Sequence, residues 1–391
     1  MNFKISKKDL RSLIVYFLLL LPFFGPRGTT IISVKIDNVI FKAVPLVISI
    51  FLMIHLIKNK KIQKVNIYVI IFLGCIGLTT YLNGGDIISL IEIAGKTLGL
   101  CLMINYAMKD NPKYFLKSFG LLLKILLIIN FITIILYPNG MYVSDTDFLG
   151  NWFLGYRNVH ILFIFPAIII DVINSFISKN KMELKNILFI VFCIVSLIMA
   201  GSATSSFGVI CLLIVIILLN NDKSKIKVNS SLLLIIYICL FLSIVIFRLQ
   251  NLFEFLIVDV LHRDLTLTDR VFIWDCVIEY IKYKPLFGYG YEYKSMRLLK
   301  TTPISYHAHN QILEIIYQSG FLGLLCISLI VYEGIKTLDK YKDEKLSKFL
   351  LLSLIILLTM MLTEAYAYNT FIYIFVLCSN YKYIKEILKE N

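Results

Sequence analysis

Two residue types in this 391-residue chain are placed where chemistry could use them. His160, His307 and His309 each lie where the chain enters an apolar run. A neutral imidazole is the natural proton acceptor near pH 7. Of the seven arginines, Arg27, Arg157, Arg248, Arg263, Arg270 and Arg297 fall on one side of the membrane by the charge count below, and only Arg11 on the other. A planar guanidinium grips two oxygens at once, which suits a phosphate or diphosphate. Fixed arginines also stabilise charge growing on a leaving group without a metal, most strongly where water is excluded. The plainer alternative is that these histidines and arginines anchor the chain at the membrane interface.

The elements that must position them are membrane helices. With 59% hydrophobic and 16% charged residues and a mean hydropathy of +0.82, the chain has the composition of a protein whose solvent is lipid. In a bilayer a spanning segment satisfies its own backbone, so mostly apolar runs of about 17 to 25 residues read as helices. Such runs are predicted near residues 11–25, 38–57, 66–82, 87–107, 118–137, 158–177, 186–200, 207–220, 230–247, 311–332, 348–363 and 367–380. The expected fold is therefore all-α, one integral-membrane domain over residues 1–391 with about twelve spans.

Lysine and arginine in short loops mark the cytoplasmic side. With the N-terminus inside, the inner connections hold 25 of the 39 basic residues and the outer ones 11, of which 8 lie in the single long loop 248–310. Both termini are then expected to be cytoplasmic. Most of the net charge of +14 is topogenic lysine against anionic membrane lipids, so no nucleic-acid partner is implied. The basic N-terminus and first apolar run are like a signal peptide, yet Pro22–Arg27 offers no small-residue cleavage site, and an uncleaved first helix is expected. Seven of the eight cysteines fall inside predicted spans and none has metal-ligand spacing, which predicts neither disulfides nor a zinc site.

The loop 248–310 is patterned. Leu249, Leu252, Phe253, Leu256 and Val260 recur at helical spacing, predicting an interfacial amphipathic helix. A second helix is predicted from a cap at Thr268 or Asp269 to Pro285, with Val271, Trp274, Ile278 and Ile281 on one face. Arg270 falls in its first turn, where the helix dipole disfavours a cation by about 0.3 to 1 kcal/mol, so its placement asks for an anionic partner. Gly288 and Gly290 make the next turn.

The run from Arg270 to Gly323 resembles the signature of the O-antigen ligase and polysaccharide polymerase family. The likeness rests on Arg270, Trp274, Pro285-Leu286-Phe287-Gly288-Tyr289-Gly290, then His309-Asn310-Gln311-Ile312-Leu313-Glu314 and Gly320-Phe321-Leu322-Gly323. It covers about fifty residues closely. It implies a C-type glycosyltransferase fold acting on polyprenyl-diphosphate-linked oligosaccharide at the outer face of a bacterial inner membrane; with a guanidinium clamp no metal or cofactor is expected, and a chain-length regulator protein is a further expected partner. The resemblance assigns His309 as the base and Arg270 as a diphosphate ligand. Arg157, Arg263, Arg297, His307, Asn310, Gly288, Gly290, His160 and Ser205 are the further candidates for substrate binding. Where many members carry an Arg beside a Ser, this chain has Gly201-Ser202-Ala203-Thr204-Ser205-Ser206. Either these hydroxyls bind phosphate or Arg157 fills the role.

Joining lipid-linked glycans needs an acceptor hydroxyl to attack an anomeric carbon while a lipid diphosphate leaves, which is the chemistry a base and an arginine clamp serve. Polymerase is preferred; ligation to a lipid A core differs only in the acceptor. A transporter or flippase is the alternative from another class, but no internal repeat is found and the polar residues concentrate in one loop. Among charges inside spans, Glu92 and Lys96 are expected to pair, Lys42 and Lys124 to snorkel, while Asp171, Glu314 and Glu364 stay open.

Overall fold

A computed structural model describes residues 7–144, 147–220, 227–249, 270–300 and 305–390. The chain is an all-α polytopic membrane protein. Helices α1 (Lys7–Leu20), α2 (Val34–Lys58), α3 (Lys64–Leu82), α4 (Ile87–Asp110), α5 (Pro112–Leu136), α6 (Ile161–Lys179), α7 (Leu184–Met199), α8 (Ala203–Asn220) and α9 (Ser230–Ile246) build the first part. After α10 (Arg270–Tyr283) and α11 (Lys294–Lys300) come α12 (Gln311–Asp339), α13 (Lys345–Met360), α14 (Tyr368–Ser379) and α15 (Tyr381–Glu390). Each predicted span has its helix, and seven helices among the described residues are long and apolar enough to cross a bilayer. Their outward faces are apolar too: on α2, Val47, Ile50, Phe51 and Ile54 are all exposed. Water would penalise that stripe, whereas lipid does not.

The centre is α14, twelve residues long and nearly all buried, packed by α4 and α12. Helix starts are fixed by local caps. Asp86 accepts from the Ser89 amide at α4, and Asn111, followed by a proline at the first helical position, caps α5.

Two features depart from the sequence reading. The connection between α5 and α6 contains a three-stranded antiparallel sheet, β1 (Tyr142–Ser144), β2 (Asp147–Trp152) and β3 (Gly155–Tyr156). Strand pairing satisfies the backbone of a segment that has left one helix and not begun the next. Lys124 does not snorkel, for it ion-pairs with Asp171, whose other oxygen accepts from Asn186 at 2.6 Å. Glu92 and Lys96 do pair, at 2.8 Å, and Lys42 joins Glu92 from α2 at 3.5 Å. The predicted amphipathic helix, after Leu249, and the cap at Thr268 or Asp269 lie outside the described residues.

Helix α12 is broken at Gly320, whose φ of 64° and ψ of −170° are not helical. A break frees backbone groups that lipid cannot satisfy. The segment Pro285–Gly290 takes them up. Tyr289 and Gly290 donate to the carbonyls of Tyr317 and Gln318, both at 2.8 Å, and Phe321 donates to Pro285 at 2.8 Å. The approach requires glycine on both sides. A Cβ on Gly320 would lie 2.1 Å from the Leu286 carbonyl, and one on Gly288 would lie 2.5 Å from the Tyr317 oxygen. The glycines of the loop thus dock it into the broken helix.

Gly320→Ala therefore meets a disfavoured dihedral, worth about 1–3 kcal/mol alone, and a backbone overlap. Its thermal midpoint in detergent should fall well below wild type. Gly74→Ala, where an added Cβ meets nothing within 4 Å, should leave the midpoint unchanged or slightly raised. An unaltered midpoint for Gly320→Ala would show that the loop does not dock this way.

Candidate functional site

The site begins at the start of α12. Asn310 is its N-cap: the side-chain oxygen accepts from the Leu313 amide at 3.0 Å, and the side-chain nitrogen donates to the Leu362 carbonyl at 2.8 Å. Gln311 adds two bonds to the same neighbour, its amide to Met361 at 2.9 Å and its side-chain oxygen from Tyr366 at 2.6 Å. These bonds fasten the segment after α13 to the start of α12, and so hold Glu364 beside His309.

Arg270 reaches the same carboxylate from α10. Ile273, Trp274 and Val277 on that helix are buried against Leu313 and Tyr317 of α12, which fixes the first residue of α10 over the site. Arg270 Nη2 donates to Glu364 Oε1 at 2.8 Å, while His309 Nδ1 faces Oε2 at 3.9 Å. Glu364 is the anionic partner that the position of Arg270 demands. Burial alone would raise its carboxyl, but His309, Arg270 and His307 together hold it below the ordinary value. His309 itself has a φ of 47°, a left-handed backbone uncommon outside glycine. Its amide donates to His307 Nδ1 at 3.2 Å, and the two rings lie 3.9 Å apart between centroids.

A second layer supports the first. Glu314 binds Arg297 through two hydrogen bonds of 2.7 Å each and accepts from the Ala308 amide at 2.8 Å. Arg297 also lies over the Tyr317 ring at 4.0 Å. The bend that carries His307 and His309 is therefore tied to α12 from beneath.

Residues 188–328 of this chain match the O-antigen ligase family. A Rickettsia typhi protein is 35% identical over 86 residues, 19% of this chain and 21% of its own length. One from Rickettsia felis is 31% identical over 88 residues, with the same shares, and both carry the provisional name polysaccharide ligase. The chain spans about a fifth of the length of the curated relatives it matches. Arg270, His309 and Ser205 fall inside the segment matched to the O-antigen ligase family, Arg157 and Glu364 outside it.

The other candidates separate clearly in space. Arg157 has no carboxylate partner among the described residues; its Nε donates to the Tyr156 hydroxyl at 3.1 Å and its Nη1 lies beside Gly201. Next to it, the Ser202 hydroxyl lies 2.8 Å from that of Ser205 and 3.3 Å from the Asn158 amide oxygen. Arg157 and these hydroxyls therefore sit together beside the Gly201–Ser206 segment. Helix α8 starts there and packs along α13, with Gly208 against Met360, so this cluster and Glu364 lie at the same end of neighbouring helices. Arg297, by contrast, is buried and already held by Glu314. Asn310 is fully buried with both polar ends engaged, and Gly288 and Gly290 contact the backbones of α12 and α3. His160 sits apart, fully buried under Trp152, with Nε2 3.1 Å from the Gly155 carbonyl. It closes the sheet onto α5 and does not face the His309 pair. Arg263 lies outside the described residues.

Glu364 is the functional candidate that the sequence left open. No motif surrounds it, and its partner Arg270 is 94 residues away. The available signal was a lone carboxylate at the end of an apolar run, matched against a cation in a helix's first turn.

Acid should loosen this site in two stages. Burial, then the neighbouring His309, push His307 down to about 3 from 6.5, so the folded site holds it neutral while the unfolded chain protonates it. Between those values the unfolded state binds the extra proton, and stability falls as pH drops. Glu364, lowered from 4.5, adds its own loss only below that value. Thermal midpoints in detergent should decline from about pH 6.5 downward in wild type, and less steeply in His307→Gln. Identical slopes in the two proteins would refute the neutral state of His307.

Proposed function

We propose that this chain transfers glycan from a polyprenyl-diphosphate carrier to an acceptor hydroxyl, as a polysaccharide polymerase at the outer face of the bacterial inner membrane. The observation that carries the reading is the joining of Arg270 and His309 on one carboxylate, Glu364. In the transfer the acceptor oxygen bonds to the anomeric carbon as the bond from that carbon to the diphosphate oxygen breaks. The electron pair leaves with the diphosphate, and the acceptor proton passes to His309.

With Nδ1 turned to Glu364, the His309 ring has Nε2 to take that proton, and the carboxylate stabilises the imidazolium formed. Arg270 spends one edge on Glu364 and offers the remaining N–H groups to the leaving diphosphate. Arg157 supplies a second guanidinium from the adjacent helix end. Such a clamp works by charge and geometry and does not require a divalent ion. The lysine bias of the loops supports an outward-facing site with both termini inside. The names of the Rickettsia relatives favour ligation as a second reading, in which the donor and clamp are unchanged and the acceptor is a lipid A core.

Chain-length profiles of surface polysaccharide, taken in a deletion strain complemented with each variant, test the assignment. At equal membrane expression, His309→Ala should lose polymer almost completely, since general-base catalysis is worth about 10²- to 10⁴-fold. Arg270→Lys should also fail, because an ammonium cannot bridge carboxylate and diphosphate as the planar fork does. Wild-type ladders from His309→Ala would remove it as the base, and wild-type ladders from Arg270→Lys would reduce that arginine to an anchor.

A further inference from the structure

At the end of the bundle far from His309, where α12 finishes, Lys109, Lys340 and Lys382 line a cleft of about 290 Å³ together with Gln63, Thr337 and Ser379. Among the described residues no carboxylate lines it. The acids nearby are engaged elsewhere: Glu333 with Lys64 at 3.5 Å, Asp339 with the Ser230 hydroxyl at 2.7 Å, and Glu344 with Tyr381 at 2.8 Å and with Lys385. Part of this charge has an ordinary reason. Lys109 and Lys340 sit at the C-terminal ends of α4 and α12, where cations complement the helix dipole, and Lys109 donates to the Lys61 carbonyl at 2.8 Å. Lys382 has no such reason. It is the second residue of α15, where the dipole opposes a cation, and it lies 4.6 Å over the Tyr383 ring without a carboxylate partner among the described residues.

Three ammonium groups, hydroxyl and amide side chains and no acid make a receptor for a phosphate. Its position at the ends of membrane-length helices puts it at the depth of lipid headgroups. We propose that this cleft binds the phosphate headgroup of an anionic phospholipid, on the face of the membrane opposite the transfer site. The lipid would then tie α4, α12 and the junction of α14 with α15 together at the end of the bundle where their charges repel.

Native mass spectrometry of the full chain, released from mixed micelles of phosphatidylglycerol and phosphatidylcholine, tests this. Wild type should retain phosphatidylglycerol selectively. Removing one lysine charge near an anionic headgroup is worth about a five-fold loss, so Lys382→Gln and Lys340→Gln should each lower retention by that factor. Lys382→Arg should keep it, and so should Lys58→Gln, which removes a charge at the end of α2 outside the cleft. The selectivity of wild type alone decides the matter if a variant fails to fold. Equal retention of the two lipids, or equal loss from Lys58→Gln and Lys382→Gln, would overturn the proposal. Displacement of the lipid by millimolar inorganic phosphate would overturn the lipid assignment in favour of a soluble anion.

Discussion

A carboxylate buried at the rim of a membrane bundle is tolerated only when its charge is met, and Glu364 is met from two directions. Arg270 donates to one oxygen and His309 faces the other. Without it Arg270 would stand as an uncompensated cation in the first turn of its helix, and the buried His309 Nδ1, which faces Glu364 at 3.9 Å and makes no hydrogen bond, would lose that carboxylate. One charge therefore brings Arg270 and His309 together, from three segments far apart in sequence.

The scaffold around this carboxylate is built by repairing broken helices. Helix α12 gives up its regular path at Gly320, and the loop segment Pro285–Gly290 restores the lost hydrogen bonds. At its other end the same helix begins with Asn310, whose cap bonds fasten the segment bearing Glu364. The interruption and the cap lie three turns apart on one helix, so the long loop and the segment after α13 are referenced to a single rigid element. Ion pairs inside such a frame specify geometry more than they add stability. Arg297 with Glu314 has that character, buried and holding the histidine bend in position.

Much of this was legible in the sequence, for reasons that differ by residue. The apolar runs announce the helices because lipid enforces their length. Trp274 and its neighbours announce α10 by their spacing, and Arg270 announces an anionic partner by sitting in its first turn. The identity of that partner was hidden, since pairing across 94 residues leaves no local pattern. Gly288 and Gly290 read equally well in the sequence as substrate contacts or as turn residues, and only the packed fold sets Gly288 against Tyr317 and Gly320 and Gly290 against Thr80. The sheet at residues 142–156 was missed because its strands are too short for alternation to register, and Lys124 because Asp171 approaches from another helix.

The central claim is that His309 and Glu364 act as one unit, and a double-mutant cycle on transfer rate measures it directly. In purified enzyme with lipid-linked donor, His309→Ala and Glu364→Gln are compared singly and together, with folding of each checked by thermal midpoint. If the carboxylate works through the imidazole, Glu364→Gln should slow wild type substantially yet cost little more once His309 is gone, because groups acting as a unit lose their effect only once. Losses that multiply fully in the double variant would contradict the account and separate Glu364 from the base.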